Sequence, residues 1–255
     1  MSVFGQYAQY YDLLYRDKDY QAETDFIASM LKRHAPGAKA VTELGCGTGL
    51  HAALLAAKGY AVHGVDISEP MLDAARARAA GLPADQGRLL AFSAGDVCNV
   101  RLGERFDAVL SLFHVVSYQT TNARLAEMFD NAATHLKPGG IFLFDYWYGP
   151  AVLSQRPATR IKRMESDAIA VTRLAEPELH ANESIVDVNY QVFIRDKANG
   201  GVEEVRETHS MRYLFASDIE LLARNAGLTL VESCEWMTGR TPGPETWGVC
   251  SVLRK

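Results

Sequence analysis

The sequence predicts an α/β fold, a doubly wound parallel sheet into which an antiparallel β-sheet has been inserted. Three observations carry the prediction. Strand and helix patterns alternate through roughly the first 145 residues. The stretch from about 150 to 215 shows period-two strands and no convincing helix. A helix and two strands then close the chain. Alternating strands and helices call for parallel strands, right-handed crossovers and helices on both faces. At 255 residues the chain suits one such domain with an elaboration and is short for two enzyme domains.

Taken in order, residues 38 to 44 (AKAVTEL) form an apolar run that ends in a glycine-rich turn, the pattern of a buried strand. Residues 50 to 58 make a helix closed by Gly59, and residues 61 to 66 (AVHGVD) a second strand. Ser68 is placed to cap the next helix, with Pro70 in its first turn, and that helix runs to about Ala80 before Gly81. Strands three and four lie near 89 to 94 and 106 to 112. A helix over 122 to 136 stops at Lys137-Pro138-Gly139-Gly140, and a fifth strand follows at 141 to 145. Beyond it, Val186, Val188, Tyr190, Val192 and Ile194 alternate with polar residues. After the turn KANGG, so do Val205, His209, Met211, Tyr213 and Phe215. This is a long antiparallel hairpin with one apolar face, and residues 159 to 175 add one or two strands to it. The last helix spans 217 to 226, with Ser217 as its N-cap and Gly227 as its C-cap, and strands at 228 to 234 and 247 to 253 follow. The whole reads as a single Rossmann-like domain with an inserted sheet.

Composition narrows the function classes. Hydrophobic residues make up 48% and charged residues 22%, an ordinary balance for a chain with a sizeable core. The net charge of −5 disfavours polyanionic partners, so neither nucleic acid nor an anionic membrane surface is expected. Cys46, Cys98, Cys234 and Cys250 are scattered without a CxxC pair, which reads as reduced thiols in a cytoplasmic protein. The start carries no basic segment followed by an apolar run, and no stretch of eighteen apolar residues occurs. The seven histidines lack HxxxH or HExxH spacing, so no metal site is expected.

The segment Glu43-Leu44-Gly45-Cys46-Gly47-Thr48-Gly49 joins a strand to a helix. Glycines there permit a tight turn and close approach of a ligand to the main chain. A dinucleotide fingerprint wants glycine five residues after Gly45, where this chain has Leu50. Strand two ends in Asp66, placed to accept hydrogen bonds from ribose hydroxyls, and strand three is followed by Gly95-Asp96-Val97, where a carboxylate can accept from an adenine amino group. The ordered set makes a site for an adenosine at the carboxyl edge of the sheet. Solvated aspartates and ordinary turn glycines are the alternative for any one of them alone.

ELGCGTG, the strand end at Asp66, the turn at Asp96, FDAVLSL and LKPGG together resemble the ordered motifs of class I S-adenosylmethionine-dependent methyltransferases. The resemblance covers most of the chain outside the insert. It implies a seven-stranded sheet whose last strand is antiparallel, and S-adenosylmethionine as cofactor. It further implies that Gly45, Gly47 and Gly49 line the methionine portion, that Asp66 holds the ribose, and that Asp96 and the Val97 amide read adenine. Ile67 and Met71 pack on the adenosine or serve as ordinary core. Glu43 and Leu112, at the ends of strands one and four, are counted in the same site. Tyr20 meets the methionine carboxylate or staples an N-terminal helical segment to the core, and the same choice applies to Tyr11 and Tyr15.

A narrower resemblance, to nucleotide-linked amino-sugar N-methyltransferases, rests on the tyrosine-rich start, the run Asp145-Tyr146-Trp147-Tyr148, the insert and the late Gly239-Arg240. It divides the chain into a cofactor domain (1–149 and 216–255) with an N-terminal helical cap and an inserted β lid (150–215) over the acceptor. It implies acceptor contacts from Tyr11, Tyr146, Trp147, Tyr148, Arg212 and Arg240, and from Arg160 or Arg163, with guanidinium groups suited to phosphate oxygens. His114 and Tyr118, after strand four, are the candidate catalytic residues. The family carries histidine where this chain has Tyr118, which leaves the base open. The expected reaction is methylation of a small polar acceptor, foremost the amino group of a nucleotide-linked sugar. Methylation of another small metabolite on oxygen or nitrogen stays open, as does a non-catalytic cofactor-binding protein. The sequence does not decide between monomer and homodimer. A nicotinamide oxidoreductase lacks its third fingerprint glycine, and nucleic-acid methylation lacks a basic face.

Overall fold

Apolar runs without polar alternation make strands that must be covered on both faces, and such runs form the middle of the sheet. The structure, a computed structural model, describes residues 13–255. Strands β1 (Ala40–Leu44), β2 (Ala61–Asp66), β3 (Leu90–Ala94), β4 (Phe106–Ser111) and β5 (Leu136–Tyr148) lie parallel in the order β3-β2-β1-β4-β5. Of the last two strands, β10 (Thr229–Glu235) and β11 (Gly248–Arg254), β11 pairs antiparallel with the other edge of β5 and β10 pairs antiparallel with β11. The result is the seven-stranded doubly wound sheet with an antiparallel last strand that the resemblance implied.

The α-helices that lie wholly within the described residues are α1 (Tyr20–His34), α2 (Leu50–Ala57), α3 (Glu69–Ala80), the single turn α4 (Ala84–Gly87), α5 (Asn122–His135), α6 (Gly149–Gln155) and α7 (Ala216–Asn225). Side chains of the N-cap residues fix two of the starts. The Asp19 carboxylate accepts from the Ala22 amide at 2.9 Å, and the Thr121 hydroxyl accepts from the Arg124 amide at 3.2 Å. Strand alternation then divides the core. Phe142, Phe144 and Tyr146 of β5 pack with Phe129 and Met128 of α5 and Ile219 of α7. Ile141 and Leu143 pack with Leu110, Val41, and the Ile27 and Leu55 side chains of α1 and α2.

The insert consists of β6 (Arg160–Glu165), β7 (Ile169–His180), β8 (Ile185–Asp196) and β9 (Val202–Leu214), all antiparallel. It joins the core sheet through one short parallel ladder, Trp147 to Tyr213 and Tyr148 to Leu214. Three expectations need correction. A helix, α6, stands where none was expected, because GPAVLSQ is too short for its periodicity to be read. Strand β5 runs on through the aromatic residues to Tyr148. Helix α7 is capped at Phe215, whose amide donates to the Asp218 carboxylate at 2.9 Å, and not by Ser217. No described helix is long and apolar enough to cross a membrane.

Candidate active site

A cavity of about 490 Å³ opens at the carboxyl ends of the core strands. Its floor is the turn after β1. The Gly45 and Cys46 amides donate to the Val65 carbonyl at 2.7 and 2.9 Å, which draws the turn against β2. Asp66, the last residue of β2, accepts from the Gly47 amide at 2.8 Å and the Ser68 amide at 2.9 Å, clamping the turn to the start of α3. Burial pushes the Asp66 carboxyl above its ordinary range, opposed by those amides.

One wall is ionic. Glu43 is 1% exposed, and its Oε2 is buried with no hydrogen-bond partner. Burial, reinforced by the Asp66 charge, raises its pKa from 4.5 to about 8. His51 Nδ1 stands 3.7 Å from Glu43 Oε1, and its Nε2 lies 2.9 Å from Glu23 Oε2. Burial disfavours the charged ring of His51 and lowers its pKa, opposed by the hydrogen bond to Glu23. At Glu23 burial acts the other way, but the hydrogen bond from His51 and the Lys18 ammonium outweigh it and bring the carboxyl to about 2. Lys18 also lies 4.2 Å from the ring centres of both Tyr20 and Phe113. At the β3 side, Asp96 is gripped by both terminal nitrogens of Arg124 at 2.8 Å and accepts from the Cys98 amide at 3.0 Å. The fork holds its carboxyl below the ordinary range.

At the opposite end the backbone is strained: Phe113 and His114 both take left-handed φ, +63° and +64°. The His114 amide donates to both Asp145 oxygens at 3.1 Å. Its Nδ1 stands 2.7 Å from Asp145 Oδ2, outside the angular range of a formed hydrogen bond. Tyr118, on the short 3-10 helix Val115–Tyr118, places its hydroxyl 2.7 Å from His209 Nδ1 of β9. Arg160, Tyr190 and Met211 of the insert complete the wall. A second cavity, about 380 Å³, shares His114 and Trp147 with the first and is otherwise lined by Glu235, Trp236, Glu245, Trp247 and Gly248. No group of metal ligands occurs among the described residues.

Residues 41–140, from β1 into the first residues of β5, match the family model described as a methyltransferase domain. This chain is a methyltransferase. The methyltransferase is 29% identical, over 93% of its length and 94% of the relative's, to dTDP-3-amino-3,4,6-trideoxy-alpha-D-glucopyranose N,N-dimethyltransferase of Streptomyces venezuelae. It is 28% identical to dTDP-3-amino-3,6-dideoxy-alpha-D-glucopyranose N,N-dimethyltransferase of Streptomyces fradiae, over 98% of this chain and 91% of that one. Among solved structures, the sugar N-methyltransferase KedS8 from Streptoalloteichus superposes with a TM-score of 0.79 at 25% identity, over 96% of this chain and 93% of that one.

Of the residues singled out from the methyltransferase sequence, Tyr20, Glu43, Gly45, Gly47, Asp66, Ile67, Met71, Asp96, Val97 and Leu112 line the main cavity, as do His114, Tyr118, Trp147 and Arg160. Others go elsewhere. Gly49 heads α2 and does not line the cavity; a Cβ added there would stand 2.9 Å from Ala75 and 3.2 Å from Phe92. Tyr146 and Tyr148 fall on the face of β5 that packs into the core, since strand alternation sends Asp145 and Trp147 to the cavity side. Arg212 is on the opposite face of β9 from Met211 and donates to the Thr120 carbonyl at 3.3 Å. Arg240 is exposed and paired with Glu235 at 2.8 Å. Arg163 is exposed on β6 and does not line the cavity. Tyr11 lies outside the described residues. The sequence reading missed His51, Arg124, Gln119 and Tyr190. Arg124 left no local signal, because it meets Asp96 of the loop after β3 only once α5 has packed on the sheet.

Proposed function

We propose that the enzyme methylates the amino group of a nucleotide-linked amino sugar, with the β6–β9 insert as the lid over the acceptor. The observation that carries this reading is that one cavity joins the glycine turn, Asp66 and Asp96 at one end to His114, Tyr118 and the insert at the other. Likeness over nearly the whole chain to two amino-sugar N,N-dimethyltransferases supports the acceptor class.

The residues present fit the cofactor. The orphaned Oε2 of Glu43 is a partner for an ammonium group, and Gly47 is open enough that an added Cβ would meet no protein atom within 4 Å. Asp66 receives the ribose hydroxyls, and Asp96, fixed by Arg124, faces the base together with Val97, Ile67, Met71 and Leu112. Bound S-adenosylmethionine supplies an electrophilic methyl group on a sulfonium centre. What the chain adds is position and protonation. His114 and Tyr118 flank the place for the acceptor's nucleophile, and holding it in line supplies much of the rate. Trp147, with the second cavity, receives the acceptor beyond its sugar, and Arg240 reaches a phosphate there on exchanging Glu235 for it. Four buried free thiols suit a cytoplasmic site of action.

The test is titration calorimetry with S-adenosylhomocysteine, followed by turnover with the dTDP-linked 3-amino sugars of the two relatives, read by mass. Micromolar cofactor binding and a gain of one or two methyl groups is the expected result. Cofactor binding with no product from any amino sugar overturns the acceptor assignment. One observation favours a second reading: the proximity of Asp145 to His114 equips that histidine as a base, as a hydroxyl acceptor requires. Methylation of the hydroxyl analogues in the same assay would decide for it.

A further inference from the structure

We propose that Tyr118, His209 and Glu207 form a proton-transfer chain that carries the proton of the acceptor's ammonium group away from the cavity. The proposal rests on the amino-acceptor reading above. A primary amine on a sugar arrives largely protonated at neutral pH, and its lone pair must be freed before it attacks.

The chain is built across two parts of the fold. Tyr118 comes from the core and lines the cavity, whereas His209 and Glu207 come from β9 of the insert. Tyr118 Oη stands 2.7 Å from His209 Nδ1, and His209 Nε2 stands 3.3 Å from Glu207 Oε2. His209 is 3% exposed and the Glu207 side chain 9%. By strand alternation Glu207 shares the apolar face of the hairpin with Val205, His209 and Met211, and in the register it stands opposite Tyr190. A carboxylate on a buried apolar face needs a partner, and His209 is that partner.

The geometry sets the direction of transfer. A carboxylate beside Nε2 keeps the imidazole proton there, which leaves Nδ1 to accept from the phenol. The acceptor's N–H bond breaks as the proton passes to Tyr118 Oη. The phenol's own proton moves to Nδ1, and the Nε2 proton moves to Glu207. Nitrogen keeps the electron pair, and one proton has travelled from the ammonium to the carboxylate. Burial, together with Tyr15, Tyr190 and Glu207, holds the Tyr118 phenol well above its ordinary range, so it passes protons and does not dwell as phenolate. The other groups facing the chain are Tyr190, whose ring meets His209 edge-on at 4.8 Å, and Arg173, which lies 4.8 Å from the Tyr190 ring and donates to the Tyr15 hydroxyl. His209 and Glu207 act through Tyr118 and do not touch the acceptor themselves.

His209→Asn keeps an acceptor for the phenol but cannot relay a proton, so it separates relay from packing. With the amino-sugar nucleotide that the wild type methylates, kcat of His209→Asn at pH 7 should fall roughly 10- to 100-fold. It should recover as pH rises toward the acceptor's own pKa, with KM and S-adenosylhomocysteine affinity little changed. Glu207→Gln should show the same recovery with a smaller loss, and Tyr118→Phe combined with His209→Asn should be no slower than the worse single variant. A wild-type profile in His209→Asn, or a loss equal at every pH, overturns the relay while leaving the amino-sugar reading intact. If no amino sugar is a substrate, nitrogen-15 NMR of His209 in the wild-type protein still decides: a proton resident on Nδ1 overturns the chain.

Discussion

Glu43 sits in an environment that its residue type disfavours. It lies one residue short of the end of a buried strand, its Oε2 has no hydrogen-bond partner, and burial with the neighbouring Asp66 raises its pKa from 4.5 to about 8. The sign of the linkage follows. Between those two values the folded chain keeps a proton that the unfolded chain has lost, so this group's contribution to stability falls as pH rises from about 4.5 to 8. A ligand ammonium reverses the preference and favours the carboxylate. S-adenosylhomocysteine binding at pH 6.5 should therefore release close to one proton, and at pH 9 almost none. Calorimetry in phosphate and in Tris, whose ionisation heats differ, measures the release. Glu43→Gln should abolish it and weaken binding by about 1.5–3 kcal/mol. Equal heats in both buffers at pH 6.5 would take Glu43 away from the ligand. Glu43 was legible in the sequence as part of a turn, but its surroundings were not, because His51 stands beside it from α2 and is itself held by Glu23 of α1.

The turn between β1 and α2 shows what a short element decides. Its three glycines look alike in sequence and do different work in the fold. Gly45 has φ +82°, and a Cβ there would stand 2.6 Å from a methyl of Val115, on the 3-10 helix that also carries Tyr118. Gly47 has φ +54° and free space around it, and Gly49 heads the helix at φ +71°. Gly45→Ala should thus lower stability by about 2 kcal/mol or more, since left-handed backbone alone costs roughly 1–2 kcal/mol for a residue with a Cβ. At this chain length that is a fall of about 4–8 °C in Tm. Gly47→Ala should melt closer to wild type yet lose most cofactor affinity, because its new methyl meets the ligand and not the protein. Thermal unfolding beside calorimetry separates the two, and equal melting of both variants would refute the distinction. Element boundaries were legible wherever periodicity had room to repeat, as in β1, β4, α5 and the β8–β9 hairpin. They were not legible at α6, whose seven residues give less than two full turns of pattern. Nor were they at the end of β5, where a row of aromatics hid the alternation that sends Tyr146 inward and Trp147 to the cavity.

At the scale of the molecule, the order β3-β2-β1-β4-β5-β11-β10 and the cofactor end of the cavity follow from motifs that each lie within one strand–turn–helix unit. The acceptor end depends on the two-residue ladder between β5 and β9, which brings residues more than sixty positions apart together and leaves no periodic trace. That asymmetry predicts how hydrogen exchange should respond to ligands. The central strands β1, β4 and β5 are buried on both faces, so their amides exchange mainly through global unfolding. S-adenosylhomocysteine at 100 times its Kd adds about 2.7 kcal/mol, which slows that exchange about 100-fold. Strand β6 is an exposed edge joined to β7 alone, and its amides open locally. They should exchange at the same rate with or without the cofactor product. Adding an acceptor should bring the slowing into the insert, first at β8 and β9, where Tyr190 and Met211 line the cavity. Mass-spectrometric exchange resolves these segments. Slowing of β6 and the central strands by the same factor with cofactor product alone would mean that the insert unfolds only with the core. The picture of a cofactor domain carrying a separately responsive lid would then fail, even with the methyltransferase chemistry unchanged.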